Sequence, residues 1–117
     1  MQPSYTYSIS KVIKVVDGDT VDALIDLGFK TFVHKRIRLH GINTPETRTR
    51  DKKEKKRGLA AKARLKEMLK QKDLCVVSHG VGKFGRVLGE LVADGENINK
   101  LLIQEGHAVP YFGGKRD

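Results

Sequence analysis

Of the 117 residues one is cysteine, none is tryptophan, three are proline, and only 6% are aromatic. With Cys75 alone, neither an intrachain disulfide nor a thiolate zinc cluster can form, so stability has to come from packing. With so few aromatics, the core must rest on Val, Ile and Leu, and an aromatic cage for methylated tails is a poor fit. The chain also lacks any long apolar run, and its helical stretches lack a basic face opposed by Trp or Phe, which disfavours a membrane surface as partner. Met1-Gln2-Pro3-Ser4-Tyr5-Thr6-Tyr7-Ser8 has neither a charged nor an apolar leader segment, so an intracellular, cytoplasmic location is expected. The length suits one domain with a modest core.

Positive charge is abundant. Lys and Arg total 23 against 14 Asp and Glu, a formal net charge of +9, and a polyanion such as nucleic acid is the natural partner. Seven of those cations crowd into 47–57, where Arg48, Arg50, Lys52, Lys53, Lys55, Lys56 and Arg57 are interrupted only by Asp51 and Glu54. This run reads as an exposed, mobile loop, and beside a phosphate-cleaving site it would track a nucleic-acid strand.

The apolar pattern predicts strands over 9–17, 21–27, 31–40, 74–79 and 86–93. Asp17-Gly18 marks a hairpin turn after the first. Val21, Ala23, Ile25 and Leu27 share one face of the second, and Val33, Ile37 and Leu39 share one face of the third, with Arg36, Arg38 and His40 on the other. A helix is expected over 59–72, with Ala61, Leu65, Met68 and Leu69 inward. A short one is expected over 98–105, capped by Asn97 and stopped by Gly106. A last extended piece is expected over 108–112. Five strands with a helix between the third and fourth fit a small β-barrel with helices, an α+β fold of the OB type. The corresponding division is an N-terminal extension over 1–8, a domain over 9–112 and a tail over 113–117.

Three short segments carry candidate chemistry. Asp19 has the parity of Val21 and Ala23, so its carboxylate should face inward, where it needs a metal, an arginine or water. Taken alone, Asp17-Gly18-Asp19-Thr20 reads as a turn whose carboxylates cap backbone amides. In Thr44-Pro45-Glu46 the proline stiffens the corner and sets Glu46 at a fixed angle to the end of the third strand, as a general base requires, although a plain loop entry is an equal reading. Arg38 and Arg86 could be solvated strand residues, yet two guanidinium forks suit a phosphoryl group whose oxygens gain charge. His34, His40, His79 and His107 lack paired metal-ligand spacing and read as ordinary surface or half-buried residues, and Cys75 reads as core.

Taken in order, Val16-Asp17-Gly18-Asp19-Thr20-Val21, Arg38 followed at fixed spacing by Thr44-Pro45-Glu46, and Lys83-Phe84-Gly85-Arg86 resemble the staphylococcal-nuclease-like (thermonuclease) family over nearly the whole chain. The resemblance implies a five-stranded OB-fold barrel and a calcium-dependent nuclease of low sequence specificity acting on DNA, RNA or both, cutting the 5′ P–O bond to leave 3′-phosphates. It implies Asp19 as a calcium ligand, Thr44 as a donor of its backbone carbonyl, and Glu46 as the group that activates water. Arg38 and Arg86 would clamp the phosphate. Lys83 and Phe84 would contact the nucleotide, and Tyr111 or Phe112 would border the base pocket. Asn43 departs from the pattern, because the best-known members place a calcium-ligating Asp there. A neutral oxygen still suits calcium but should bind it less tightly. The alternative is a non-catalytic OB-type nucleic-acid-binding module. A monomer is expected in either case.

Overall fold

The alternation along Val21, Ala23 and Ile25 is carried into the fold: all three are buried, and they line the inside of a barrel. The computed structural model describes residues 5–70 and 73–111. Strand β1 (Tyr5–Asp17) turns at Gly18-Asp19 into β2 (Thr20–Gly28), which turns into β3 (Thr31–Leu39), so the first three strands form an antiparallel meander. After a two-residue strand β4 (Ile42–Asn43) and helix α1 (Lys52–Met68), β5 (Leu74–Val81) pairs antiparallel with the start of β1. Strand β6 (Val87–Ala93) pairs antiparallel with β5 and closes the barrel by lying parallel to β3, with Ile37 opposite Val87 and Leu39 opposite Gly89. Closure leaves little exposed edge on these five strands.

Strand β7 (Glu96–Asn97) leads into helix α2 (Ile98–Gln104), and β8 (Val109–Pro110) pairs with β4. Asn97 caps α2 as expected, its side chain accepting from Lys100 N at 3.0 Å. Ile37, Leu39, Val76 and Leu91 fill the barrel, while Leu65 of α1 and Ile98 and Leu102 of α2 close it from outside, all at or below 1% exposure. This five-stranded barrel with two helices is the expected fold. Among the described residues, no helix is long and apolar enough to cross a membrane.

Several boundaries differ from the sequence reading. Strand β1 begins at Tyr5 rather than at residue 9, because Tyr5, Thr6, Tyr7 and Ser8 pair with Ser78, Val77, Val76 and Cys75; these four residues belong to the sheet and not to an extension. Leu27 is exposed because β2 outruns the barrel. Cys75 is half-buried, and its neighbour Val76 holds the core position.

The largest difference lies in 47–57, where α1 starts at Lys52 inside the run expected to be a loop. Asp51 is its N-cap, accepting from Lys53 N at 2.9 Å and Glu54 N at 3.2 Å. Cap and acidic first turn together offset the repulsion among neighbouring lysines. Residues 113–117, the expected tail, lie outside the described residues.

One buried polar residue fastens α2 to the barrel. Asn99 Nδ2 donates to His40 O at 2.8 Å and Gly89 O at 3.2 Å, and Asn99 Oδ1 accepts from Leu91 N at 3.1 Å. Asn99→Leu strands these backbone groups without water, so the urea unfolding midpoint is expected to report a loss of about 2 kcal/mol. A stability equal to the unmutated protein's would show that the bonds contribute nothing net.

Candidate active site

The β1–β2 turn, the end of β3 and the β4 corner converge on one carboxylate. Asp19 is 7% exposed, and its inward parity is the one the strand alternation predicts. Its Oδ1 accepts from the Thr20 hydroxyl at 3.0 Å and its Oδ2 from Thr44 N at 3.1 Å. Arg38 Nη2 lies 3.6 Å from the same Oδ2. A buried carboxylate is thereby compensated by two donors and one cation.

Arg38 does more than pair with Asp19. Its Nη1 donates to Leu39 O at 2.8 Å, and its Nη2 to Ile42 O at 3.0 Å and Asn43 Oδ1 at 3.3 Å. Asp19, Asn43, Thr44 and Arg38, all singled out in the sequence, therefore form one cluster. The donor set around Nη2 is all oxygen: one carboxylate, one carboxamide and backbone carbonyl. Such donors suit a hard cation such as calcium in kind, although with a single formal charge. Among the described residues no three His, Cys, Asp or Glu side chains gather as a metal site, so any cation here would depend on neutral oxygens.

Glu46 is half-buried on the other side of the Thr-Pro-Glu corner. The corner is held from two directions. Thr47 donates its hydroxyl to the Asp17 carboxylate, tying the corner to the β1–β2 turn. Gly58 of α1 faces it so closely that a Cβ there would stand 2.5 Å from Glu46 O and 2.8 Å from Pro45 O. The same helix rides over Gly18, where a Cβ would meet Ala61 Cβ at 2.8 Å. Two glycines thus let α1 press the carboxylate-bearing turns together.

Gly58 was not legible as a site residue. An isolated glycine inside a helix is the signal that could have found it, but the helix was expected to begin after it. Gly58→Ala should improve helix propensity and still lower stability by about 1–3 kcal/mol, because neither backbone carbonyl can yield cheaply. Thermal unfolding of the variant measures this, and a gain in stability would contradict the packing.

Arg86 sits just before β6, two residues ahead of Leu88, whose β3 partner is Arg38. Residues two apart share a face of a strand, so Arg86 and Arg38 belong to the same face of adjacent parallel strands. Arg86 Nε is buried and, among the described residues, has no hydrogen-bond partner. Arg36, by contrast, is held by Asp22 through 2.8 and 3.1 Å bonds.

Lys83 and Phe84 lie on the turn before Arg86, both exposed. Phe84 has φ 62° and ψ 24°, the left-handed region, and is 95% exposed. Tyr111 is half-buried, and its N donates to Gly41 O at 2.8 Å, beside the β4–β8 pair that joins Asn43 to Val109. Phe112 lies outside the described residues.

His107 lines a cleft with Asn43, Thr44 and Pro45, and His40 has one local effect beside Arg38. His40 stacks on His79 at 4.2 Å between ring centres, and His79 Nε2 lies 2.7 Å from Glu90 Oε2. Burial, then the neighbouring His79, and to a lesser degree Arg38 hold the His40 imidazole below its ordinary pKa, against the pull of Glu90. His40 therefore stays uncharged near neutral pH. It adds no positive charge beside Arg38.

Residues 36–117 match the staphylococcal nuclease homologue family. A micrococcal nuclease of Shigella flexneri is 29% identical over 93% of this chain and 62% of its own length, and protein ParB of Escherichia coli is 28% identical over 97% and 63%. Endonuclease YhcR of Bacillus subtilis is 32% identical over 86% of this chain, which corresponds to 9% of that protein. The chain spans less than two thirds of the length of each of these relatives.

Proposed function

Since the chain belongs to the staphylococcal nuclease homologue family, we propose that it is a metal-dependent nuclease that hydrolyses phosphodiester bonds of DNA, RNA or both with low sequence specificity. The observation that carries this reading is the pair of arginines, Arg38 on β3 and Arg86 just before β6, on one face of the paired strands. One is anchored beside Asp19, and the other has a buried Nε that has no hydrogen-bond partner among the described residues. A guanidinium so placed is a ready receptor for an anionic oxygen. The names of the relatives, a micrococcal nuclease and an endonuclease, point the same way.

In this reading Glu46 accepts a proton from a water that attacks phosphorus, its angle fixed by Pro45 and the contact with Gly58. Arg38 and Arg86 bind the equatorial oxygens, where negative charge builds in the transition state. The 5′ oxygen leaves, and the phosphate stays on the 3′ end. Asp19, Asn43 Oδ1 and the Thr44 backbone carbonyl would hold calcium, which when bound neutralises phosphate charge and polarises the P–O bond. Lys83 and the exposed Phe84 ring meet the nucleotide, and Tyr111 borders the base.

A second reading has one specific observation in its favour: Arg38 Nη2 lies against Asn43 Oδ1, Asp19 Oδ2 and Ile42 O together, so the guanidinium occupies oxygens a metal would need. That arrangement suits a binding module without turnover. Incubating the protein with single-stranded DNA, duplex DNA and RNA in calcium, magnesium or EDTA separates the two. Calcium-stimulated cleavage supports the nuclease, and tight binding without cleavage in any metal supports the module.

A further inference from the structure

Helix α1 lies across β1 and leaves an open groove of about 460 Å³ beside it, lined by Val12, Ile13, Lys14 and Val15 of β1 and by Lys62, Lys66, Leu69 and Lys70 along the helix side. Among the described residues, four lysines and no acidic residue line it. Glu67 of the same helix faces the opposite flank, where it lines a separate cleft with Arg64 and Met68. The one carboxylate across the strand from Lys14 is Asp22, and both of its oxygens are taken by Arg36. Asp22 therefore offsets the charge of Lys14 only in part, and the groove keeps an excess of positive charge over an apolar floor that includes Ile13, 46% exposed.

Its position relative to the candidate site is set by Gly18 and Ala61, which touch where α1 crosses the β1–β2 turn. From that crossing, Lys62 and Lys66 recede along the helix to Lys70 in the turn after it, while β1 recedes from Val15 to Val12. Lys62 and Lys66 stand about 6 Å apart along the helix axis, a step of the order of the spacing between phosphates in an extended strand. The groove begins beside the turn that carries Asp19 and leads away from it.

We propose that this groove is a second nucleic-acid contact, holding the backbone of a strand whose scissile phosphate lies at Arg38 and Arg86. The inference rests on nucleic acid being the ligand of the candidate site. Lys14, Lys62, Lys66 and Lys70 neutralise successive phosphates, and Ile13 and Leu69 meet sugar and base edges. Binding through it depends on strand length, because a short oligonucleotide fills the candidate site without reaching the lysines.

The test uses the full chain carrying Glu46→Gln, so that the ligand stays intact, with Lys14→Gln, Lys62→Gln and Lys66→Gln added together. Fluorescence anisotropy with a labelled tetranucleotide and a labelled twenty-nucleotide strand, over a salt series, gives the affinities. Losing three phosphate contacts should weaken the long strand about tenfold or more at low salt and lower its salt slope by about 2, with the tetranucleotide unchanged. A control variant removes the same charge at exposed Lys30, Lys35 and Lys100, outside the groove.

Equal losses in the groove and control variants would reduce the effect to net charge and overturn the proposal, as would an undiminished affinity for the long strand. Binding to phosphatidylserine vesicles lost in the groove variant, with strand binding intact, would assign the groove to a membrane instead. No strand binding by the Glu46→Gln parent would overturn both this inference and the nuclease reading. Binding that ignores the groove lysines would overturn only the groove.

Discussion

Glu46→Gln should lower the rate of calcium-dependent strand cleavage by about 10²–10⁴, the range a positioned general base supplies, while leaving strand affinity within about twofold. The carboxamide keeps the size of the side chain and its place under α1, so the corner held by Thr47 and Gly58 is preserved. What disappears is the ability to accept the water's proton. Arg86→Ala should cost about 10²–10³ in turnover, the loss typical of one donor aimed at developing charge. The two variants differ in a second readout. Removing Arg86 also weakens ground-state phosphate binding, whereas Glu46→Gln does not. Single-turnover rates and strand affinities measured on the same preparations separate these effects, and a Glu46→Gln rate equal to that of the unmutated protein would remove Glu46 from the chemistry.

Asn43→Asp is expected to raise calcium affinity by about tenfold or more, because calcium sites gain affinity with ligand charge. The structure adds a reason for the size of the effect. Among the described residues Asp19 is the one carboxylate in the cluster, and Arg38 Nη2 lies 3.6 Å from it and 3.3 Å from Asn43 Oδ1. A second carboxylate leaves net negative charge beside the guanidinium and gives a divalent ion the advantage. The same change strengthens the hold on Arg38, so it also tests whether the arginine or the metal gains more. Isothermal titration of both proteins with calcium decides it. An unchanged affinity would show that Asn43 Oδ1 is not a ligand.

Much of the barrel was legible because burial on one face imposes a period of two. Val21, Ala23 and Ile25 on β2, with Ile37 and Leu39 on β3, placed the core correctly, and extending the same parity placed Asp19 inside. The helix pattern also held at Ala61, Leu65, Met68 and Leu69, since all four are buried. The start of α1 was hidden by charge. Five cations between 52 and 57 weigh against a helix, and the Asp51 cap with Glu54 three residues on outweighs them.

Contacts between segments distant in sequence were not legible at all. Nothing in the order of residues says that Asn99 binds His40 O, or that Gly58 meets the Pro45 and Glu46 carbonyls. These depend on how α1 and α2 settle on the barrel. They also decide the chemistry, because they fix where the carboxylates and guanidinium groups stand.

The central claim is that Asp19, Arg38, Glu46 and Arg86 make a hydrolytic site and not only a binding face. The direct measurement is single-turnover cleavage of an end-labelled single strand in calcium, with excess unmutated or Glu46→Gln protein and the product ends analysed. The account predicts 3′-phosphate products from the unmutated protein and a rate lower by at least about 10² for Glu46→Gln. Full strand binding without any cleavage by the unmutated protein would contradict it.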